Sequence, residues 1–149
     1  MTSPLTLSFG SDHGGLALRR GLSEALKAKG YAILDRGTET EASCDYPDYA
    51  HAVGADVVAG RAKFGILVCT TGIGISIAAN KMRGIRAALV QSADAAGLSR
   101  RHNDANVLCF GAKYVDLPTA LMCVEAFLAA EFEAGRHTRR VDKMESSCG

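Results

Sequence analysis

The residues Cys69-Thr70-Thr71-Gly72-Ile73-Gly74-Ile75-Ser76 follow an apolar run from Phe64 to Cys69 and lead into a segment of helical spacing. A strand that leaves through a glycine-bearing turn into a helix lets backbone N–H groups converge on an anion at the helix N-terminus. The same amides favour a thiolate over a thiol at Cys69. A thiolate facing a bound oxyanion suits proton abstraction beside a carbonyl, with the amides receiving the charge that develops on oxygen. The plainer alternative makes Cys69 a small buried hydrophobe at the end of a strand and the glycines a tight turn.

Other motifs with a nucleophile or a glycine-rich loop do not fit. A cysteine phosphatase requires an arginine six residues after the cysteine, where this chain has Ile75. A dinucleotide fingerprint needs a third glycine at Ile77 and belongs after the first strand, and no Gly-Lys-Ser/Thr phosphate loop is present.

Three further groups of residues could hold or protonate a substrate. Asp12 and His13 lie in Ser11-Asp12-His13-Gly14-Gly15, which follows the first apolar run. They suit sugar hydroxyls or phosphate, or equally a helix cap and a solvated turn. His102 and Asn103 end a helical segment that also carries Arg100 and Arg101. A histidine that titrates near neutrality can open a furanose ring by passing a proton to the ring oxygen, although a polar C-terminal turn explains the cluster as well. Arg136, His137, Arg139 and Arg140 form a basic run that matches a phosphate monoester, or a solvated helix end.

The elements that must position these groups alternate along the chain. Strands are expected at 5–10, 31–35, 64–69, 85–90 and 107–110. Helices are expected from Leu18 to Gly30, from near Pro47, after Ser92 as N-cap, and from Asp116 with Pro118 in the first turn until Gly135. A short basic tail beginning at His137 is expected to be helical. This order is that of an α/β domain with a mainly parallel sheet, in which the almost unbroken apolar run 64–69 is buried on both faces. Ligands in such sheets bind beyond the C-terminal ends of the strands, which selects the loops holding Asp12 and His13, Cys69 to Gly74, Ser92, and Gly111 to Lys113.

The chain has 149 residues, 48% of them hydrophobic, enough for one domain with its own core. Seventeen basic residues against sixteen acidic leave a formal charge of +1, so nothing in the balance points to nucleic acid or a membrane surface. The stretch from Met1 to Leu7 lacks a basic flank and an apolar run, and no apolar stretch approaches the roughly 20 residues that span a bilayer. Five widely spaced cysteines, Cys44, Cys69, Cys109, Cys123 and Cys148, show no C-x-x-C pair and no zinc spacing, so free thiols in the cytoplasm and no metal ligands are expected.

Five blocks occurring in order carry a more specific signal: Ser11 to Gly15, Asp45-Tyr46-Pro47, CTTGIGISIAANK from Cys69 to Lys81, LSRRHNDANVL from Leu98 to Leu108, and GRHTRRV from Gly135 to Val141. Over nearly its whole length the chain resembles ribose-5-phosphate isomerase type B, within a superfamily that includes galactose-6-phosphate isomerases. The resemblance implies a three-layer αβα sandwich around a five-stranded parallel, Rossmann-like sheet, forming a single domain. It also implies a homodimer, possibly a tetramer, with active sites shared across the interface, and no cofactor. The implied reaction interconverts ribose 5-phosphate and ribulose 5-phosphate through a cis-enediolate, and a phosphorylated hexose such as allose 6-phosphate or a non-catalytic sugar-phosphate sensor are the alternatives. Cys69 matches the proton acceptor, His102 the proton donor of ring opening, and Thr71 a hydroxyl near the reacting carbons. Asp12, His13, Asn103, Arg136 and Arg140 match ligand contacts, Thr70, Gly72, Ile73 and Gly74 are expected to bind substrate with them, and the amides from Thr71 to Gly74 would stabilise the enediolate. Some members lack the cysteine and use a glutamate at the position of Ser76. Two departures stand out: Thr70 replaces a common glycine, and Lys113 replaces a phosphate-contacting arginine, keeping the charge but losing the planar fork.

Overall fold

The computed structural model describes residues 4–146. Five strands, β1 (Thr6–Ser11), β2 (Ala32–Asp35), β3 (Phe64–Cys69), β4 (Ala87–Leu89) and β5 (Val107–Gly111), form one sheet in the order β2-β1-β3-β5-β4, every pair parallel. Six α-helices cover it: α1 (Leu16–Ala28), α2 (Tyr46–Val58), α3 (Ile73–Asn80), α4 (Ala93–Asn103), α5 (Leu117–Ala129) and α6 (Arg136–Ser146). A single 3₁₀ turn, His13–Gly15, joins β1 to α1. Among the described residues no helix is long and apolar enough to cross a membrane.

Alternation along β3 divides the core. Phe64, Ile66 and Val68 face α1, α4 and α5 together with Leu7, Phe9, Leu22, Leu108, Phe110, Val124 and Phe127. Leu67 and Cys69 face α2 and α3, packed with Ala50, Val53, Ile75, Ala79 and Cys109. All six residues of β3 are buried, as its uninterrupted apolar run requires. Cys69 therefore belongs to the α2–α3 side of the sheet.

Local signals set most boundaries. The Ser92 hydroxyl accepts from the Ala95 amide at 3.2 Å, and the Asp116 carboxylate accepts from the Thr119 amide at 2.9 Å, so both expected caps form. Two boundaries differ from expectation. The fourth strand is limited to residues 87–89 because Arg86 spends its amide on the Asn106 side chain at 2.8 Å. The long helix stops at Ala129 rather than reaching Gly135. Ala130 is extended, and the Glu133 amide instead donates to the Arg101 carbonyl at 3.0 Å. Ala134 and Gly135, both at positive φ, then turn the chain into α6.

Two buried charges pin the sheet to its surroundings. Arg19 of α1 is fully buried, donating to Ser11 Oγ at 2.7 Å and facing Asp35 at 3.2 Å, with Gly37 leaving room for its guanidinium. Asp56 of α2, 1% exposed, accepts from Ser8 Oγ at 2.7 Å, from Arg36 at 2.9 and 3.1 Å, and from Arg61 at 2.8 Å. Burial alone would raise this carboxyl, but the Arg36 fork, Arg61 and the Ser8 hydroxyl outweigh it and hold it down to about 2. A carboxyl depressed on folding contributes stability above its unfolded value of 3.8 and loses it as pH falls toward 2. The expected contribution is about 2 kcal/mol. Urea midpoints should fall between pH 5 and pH 2 more steeply for the natural protein than for Asp56→Asn, and parallel curves would remove this role.

Candidate active site

The register aligns the C-terminal ends of three strands, since Ser11 pairs with Val68 and Cys69 with Gly111. The Cys69 carbonyl accepts from the Ala112 amide and the Thr70 carbonyl from the Lys113 amide, both at 2.9 Å, so the exit from β3 is held extended against the exit from β5. Gly72 then takes φ +76° and caps α3. A Cβ on Gly72 would stand 2.5 Å from Leu89 Cδ1 and 2.8 Å from the Gly111 nitrogen, and a Cβ on Gly111 would stand 2.3 Å from the Thr71 carbonyl oxygen. The two loops meet backbone to backbone.

That contact aims the Gly72 amide at sulfur, with the donor 3.2 Å from Cys69 Sγ. Thr71 Oγ1 accepts from the Ile73 amide at 3.2 Å. The first bond returning to the turn is that of the Ser76 amide to the Gly72 carbonyl, so the Gly74 and Ile75 amides precede the helical ladder. Asp12, Tyr46, Cys69, Thr70, Thr71, Ile73 and Gly74 line a cavity of about 400 Å³ over this turn. Cys69 lines this cavity yet is only 4% exposed, packed in the cluster of Leu67, Ile75 and Ala79. Its neighbour Cys109 is wholly buried, and burial, with the proximity of Cys69, drives that thiol far above the working range.

Asp12 and His13 stand beside this turn, as adjacency of β1 and β3 dictates. The buried Asp12 carboxylate accepts from the Gly15 amide at 3.2 Å, combining the capping role with a place in the cavity wall. His13 Nδ1 accepts from the Cys44 amide at 3.3 Å, which fixes the ring and assigns the proton to Nε2. Thr70, at a position where glycine is common in the resembled family, lies over Gly14, where a Cβ would be 2.2 Å from its hydroxyl. Ser76 spends its hydroxyl inside α3, donating to the Ile73 carbonyl at 2.8 Å.

His102, Asn103, Arg136 and Arg140 lie elsewhere. α4 runs back along the sheet, so His102 and Asn103 precede β5 at the end opposite Cys69, with four strand steps, about 13 Å, between Val107 and Gly111 alone. The His102 ring stacks on His137 with centroids 4.3 Å apart. Burial first, then the charges of His102 and Arg136, lower the pKa of His137. Lys113 separates from this group and stays on the Cys69 side through its bond to Thr70. Within one chain the expected residues thus form two half-sites.

Two neighbours of these groups were not among the candidate residues. Tyr46 lines the Cys69 cavity and the adjoining one of about 590 Å³ that holds Asp12, His13 and Cys44, and its ring occupies the space a side chain at Gly74 would take. Glu133 sits 3.7 Å from both His102 Nε2 and His137 Nε2. The Asp45-Tyr46-Pro47 block was the only sequence signal for the first, and none existed for the second. Cys44, Cys69, Cys109 and Cys123 are free thiols, while Cys148 lies outside the described residues.

Comparison with known proteins gives this geometry a context. Residues 7–144 match the family model described as Ribose/Galactose Isomerase. The chain belongs to that family. Ribose-5-phosphate isomerase B of Escherichia coli is 46% identical over 136 residues, 91% of each chain. The solved ribose-5-phosphate isomerase B of Clostridium thermocellum superimposes with a TM-score of 0.94 at 46% identity, covering 95% of this chain and 96% of that one. The Mycoplasma genitalium enzyme, solved with bound ribulose-5-phosphate, superimposes with a TM-score of 0.91 at 41% identity, covering 97% of each chain. The three-layer α/β architecture with a five-stranded parallel sheet is that of these isomerases.

The backbone contact at Gly72 is open to direct test. Gly72→Ala combines a left-handed backbone with a methyl group driven into the Gly111 amide. It should destabilise the fold by about 2–4 kcal/mol in urea denaturation. A loss below the error of that measurement would mean that the turn is not the tight junction described.

Proposed function

We propose that the protein interconverts ribose 5-phosphate and ribulose 5-phosphate in the cytoplasm, with Cys69 as the base, and that its working unit is a homodimer. The observation that carries this reading is Cys69 in the lining of the cavity, with its Sγ receiving the Gly72 amide at 3.2 Å at the start of α3. The Gly74 and Ile75 amides stand where an enediolate oxygen would need donors.

In the proposed cycle His102 protonates the ring oxygen as the bond from it to C1 breaks, the anomeric hydroxyl gives its proton to water, and the open-chain aldehyde forms. The Cys69 thiolate takes the proton from C2 of the aldose, the electrons pass to the carbonyl oxygen, and the resulting cis-enediolate recovers the proton from the thiol at C1. Thr71 passes the remaining proton between the two substrate oxygens, because its hydroxyl both donates and accepts. Asp12 and Asn103 hold sugar hydroxyls. His13, Arg136, Arg140 and Lys113 bind the phosphate and keep C1 and C2 beside sulfur, where orientation lowers the barrier. The likeness to relatives named ribose-5-phosphate isomerase B supports ribose 5-phosphate as substrate.

The dimer follows from the separation of the two half-sites. A second copy bringing His102, Asn103, Arg136 and Arg140 to the Cys69 cavity would complete the set, and two-fold symmetry would complete both sites at once. The apolar surface flanking the cavity suits such a contact: Ile73 is 50% exposed, Ile77 55% and Leu89 38%.

A coupled assay of ribose 5-phosphate conversion tests the reaction. Cys69→Ala should lose at least ~10²-fold in kcat while still binding sugar phosphate, the usual contribution of a positioned base, and near-normal turnover would exclude Cys69. Mixing inactive Cys69→Ala and His102→Ala proteins should restore activity, up to about a quarter of the natural level after full subunit exchange, since half the mixed population carries one intact site. No recovery in exchanged mixtures would place each site within a single chain.

A further inference from the structure

Glu133 and His137 belong to no step of the proposed reaction, yet the fold brings both to His102. The bond from the Glu133 amide to the Arg101 carbonyl fixes the 130–135 segment on the end of α4. The left-handed pair Ala134 and Gly135 then reverses the chain, so that His137, the second residue of α6, returns onto the His102 ring. The outcome is two imidazoles and one carboxylate whose ligand atoms all lie within 4.8 Å of one another.

The distances within this group are informative. Glu133 Oε1 is 3.7 Å from each Nε2, too long for a hydrogen bond. In a tetrahedral ion with bonds of ~2.0–2.2 Å, neighbouring ligands stand ~3.3–3.6 Å apart. The carboxylate oxygen therefore needs to close by only a few tenths of an ångström on each imidazole to share an ion with it. The two rings are stacked with planes 14° apart, so one of them must turn for both nitrogens to meet at one ion. His102, with a side chain 36% exposed, has room to turn toward the common point, whereas His137, at 11%, is held.

We propose that His102, Glu133 and His137 form a site for a borderline-soft divalent metal of the zinc or cobalt(II) class, and that its occupancy arrests the isomerase by capturing the His102 imidazole. Two histidines and a carboxylate leave a fourth position for water. Affinity is limited by the cations around the site: Arg101 Nε lies 3.6 Å from the other Glu133 oxygen, and Arg136 and Arg140 act on His137. The metal is thus an exchangeable inhibitor. The arrest rests on the reading of His102 as the ring-opening acid, whereas the binding does not.

The test uses the full chain freed of metal by dialysis against chelator. Cobalt(II) binding is followed by its d–d absorption, zinc binding by calorimetry, and isomerase activity is measured in parallel. The expected result is one ion per chain below millimolar concentration, without the sulfur-to-cobalt charge-transfer band that Cys44 or Cys69 would produce. Zinc should inhibit, and EDTA should restore activity. Glu133→Gln and His137→Asn, with folding checked by circular dichroism, should each weaken binding at least about tenfold, the loss that even an outer partner of a ligand can cause. Equal affinity in the variants, a thiolate band, or no binding up to millimolar metal would overturn the site. Binding that the variants weaken, but that leaves isomerisation untouched, would overturn the arrest and with it the acid role of His102.

Discussion

The close approach of the β3–α3 turn to the exit of β5 is the constraint on which the rest of the site depends. Gly72 and Gly111 meet with no side chain between them, and Gly15 approaches the Val68 carbonyl so closely that a Cβ would lie 2.4 Å from its oxygen. These contacts hold the three loops above β1, β3 and β5 at backbone distance, which is why Cys69, Asp12 and the first residues of α3 line one cavity. The helix dipole and amides would be of little use to Cys69 if the turn were a residue longer, because the effect fades within the first turn.

Sequence reading reached far wherever structure is set locally. The apolar run Phe64–Cys69 appears as a strand buried on both faces, and Ser92 and Asp116 cap the helices they precede. It failed where a distant partner decides. Residues 130–133 contain good helix formers, yet they leave the helix because Glu133 finds the Arg101 carbonyl. The fourth strand is shortened by the side chain of Asn106, twenty residues away.

The candidate site shows the same division. Cys69, Thr71 and the glycines were legible because a strand, a turn and a helix start are consecutive in the chain. Tyr46 became a wall of the cavity only through its contact with Gly74, which no local pattern encodes. That His102 and Cys69 sit at opposite ends of the sheet emerges only from strand order and helix direction. The 102, 133 and 137 group is assembled by a reversal of chain at Ala134 and Gly135 that spacing alone does not disclose.

The interior position of Arg19 bears on how this pocket can move. Its guanidinium donates to Ser11, at the root of the Asp12 loop, and faces as ion pairs Asp35 and more distantly Glu39, which open the segment leading to Cys44 and Tyr46, while Nε and Nη2 make no hydrogen bond. Were that segment to swing outward, a permanent positive charge would be left in surroundings unable to hydrate it. One rim of the pocket is therefore moored electrostatically, to a charge that the interior cannot release.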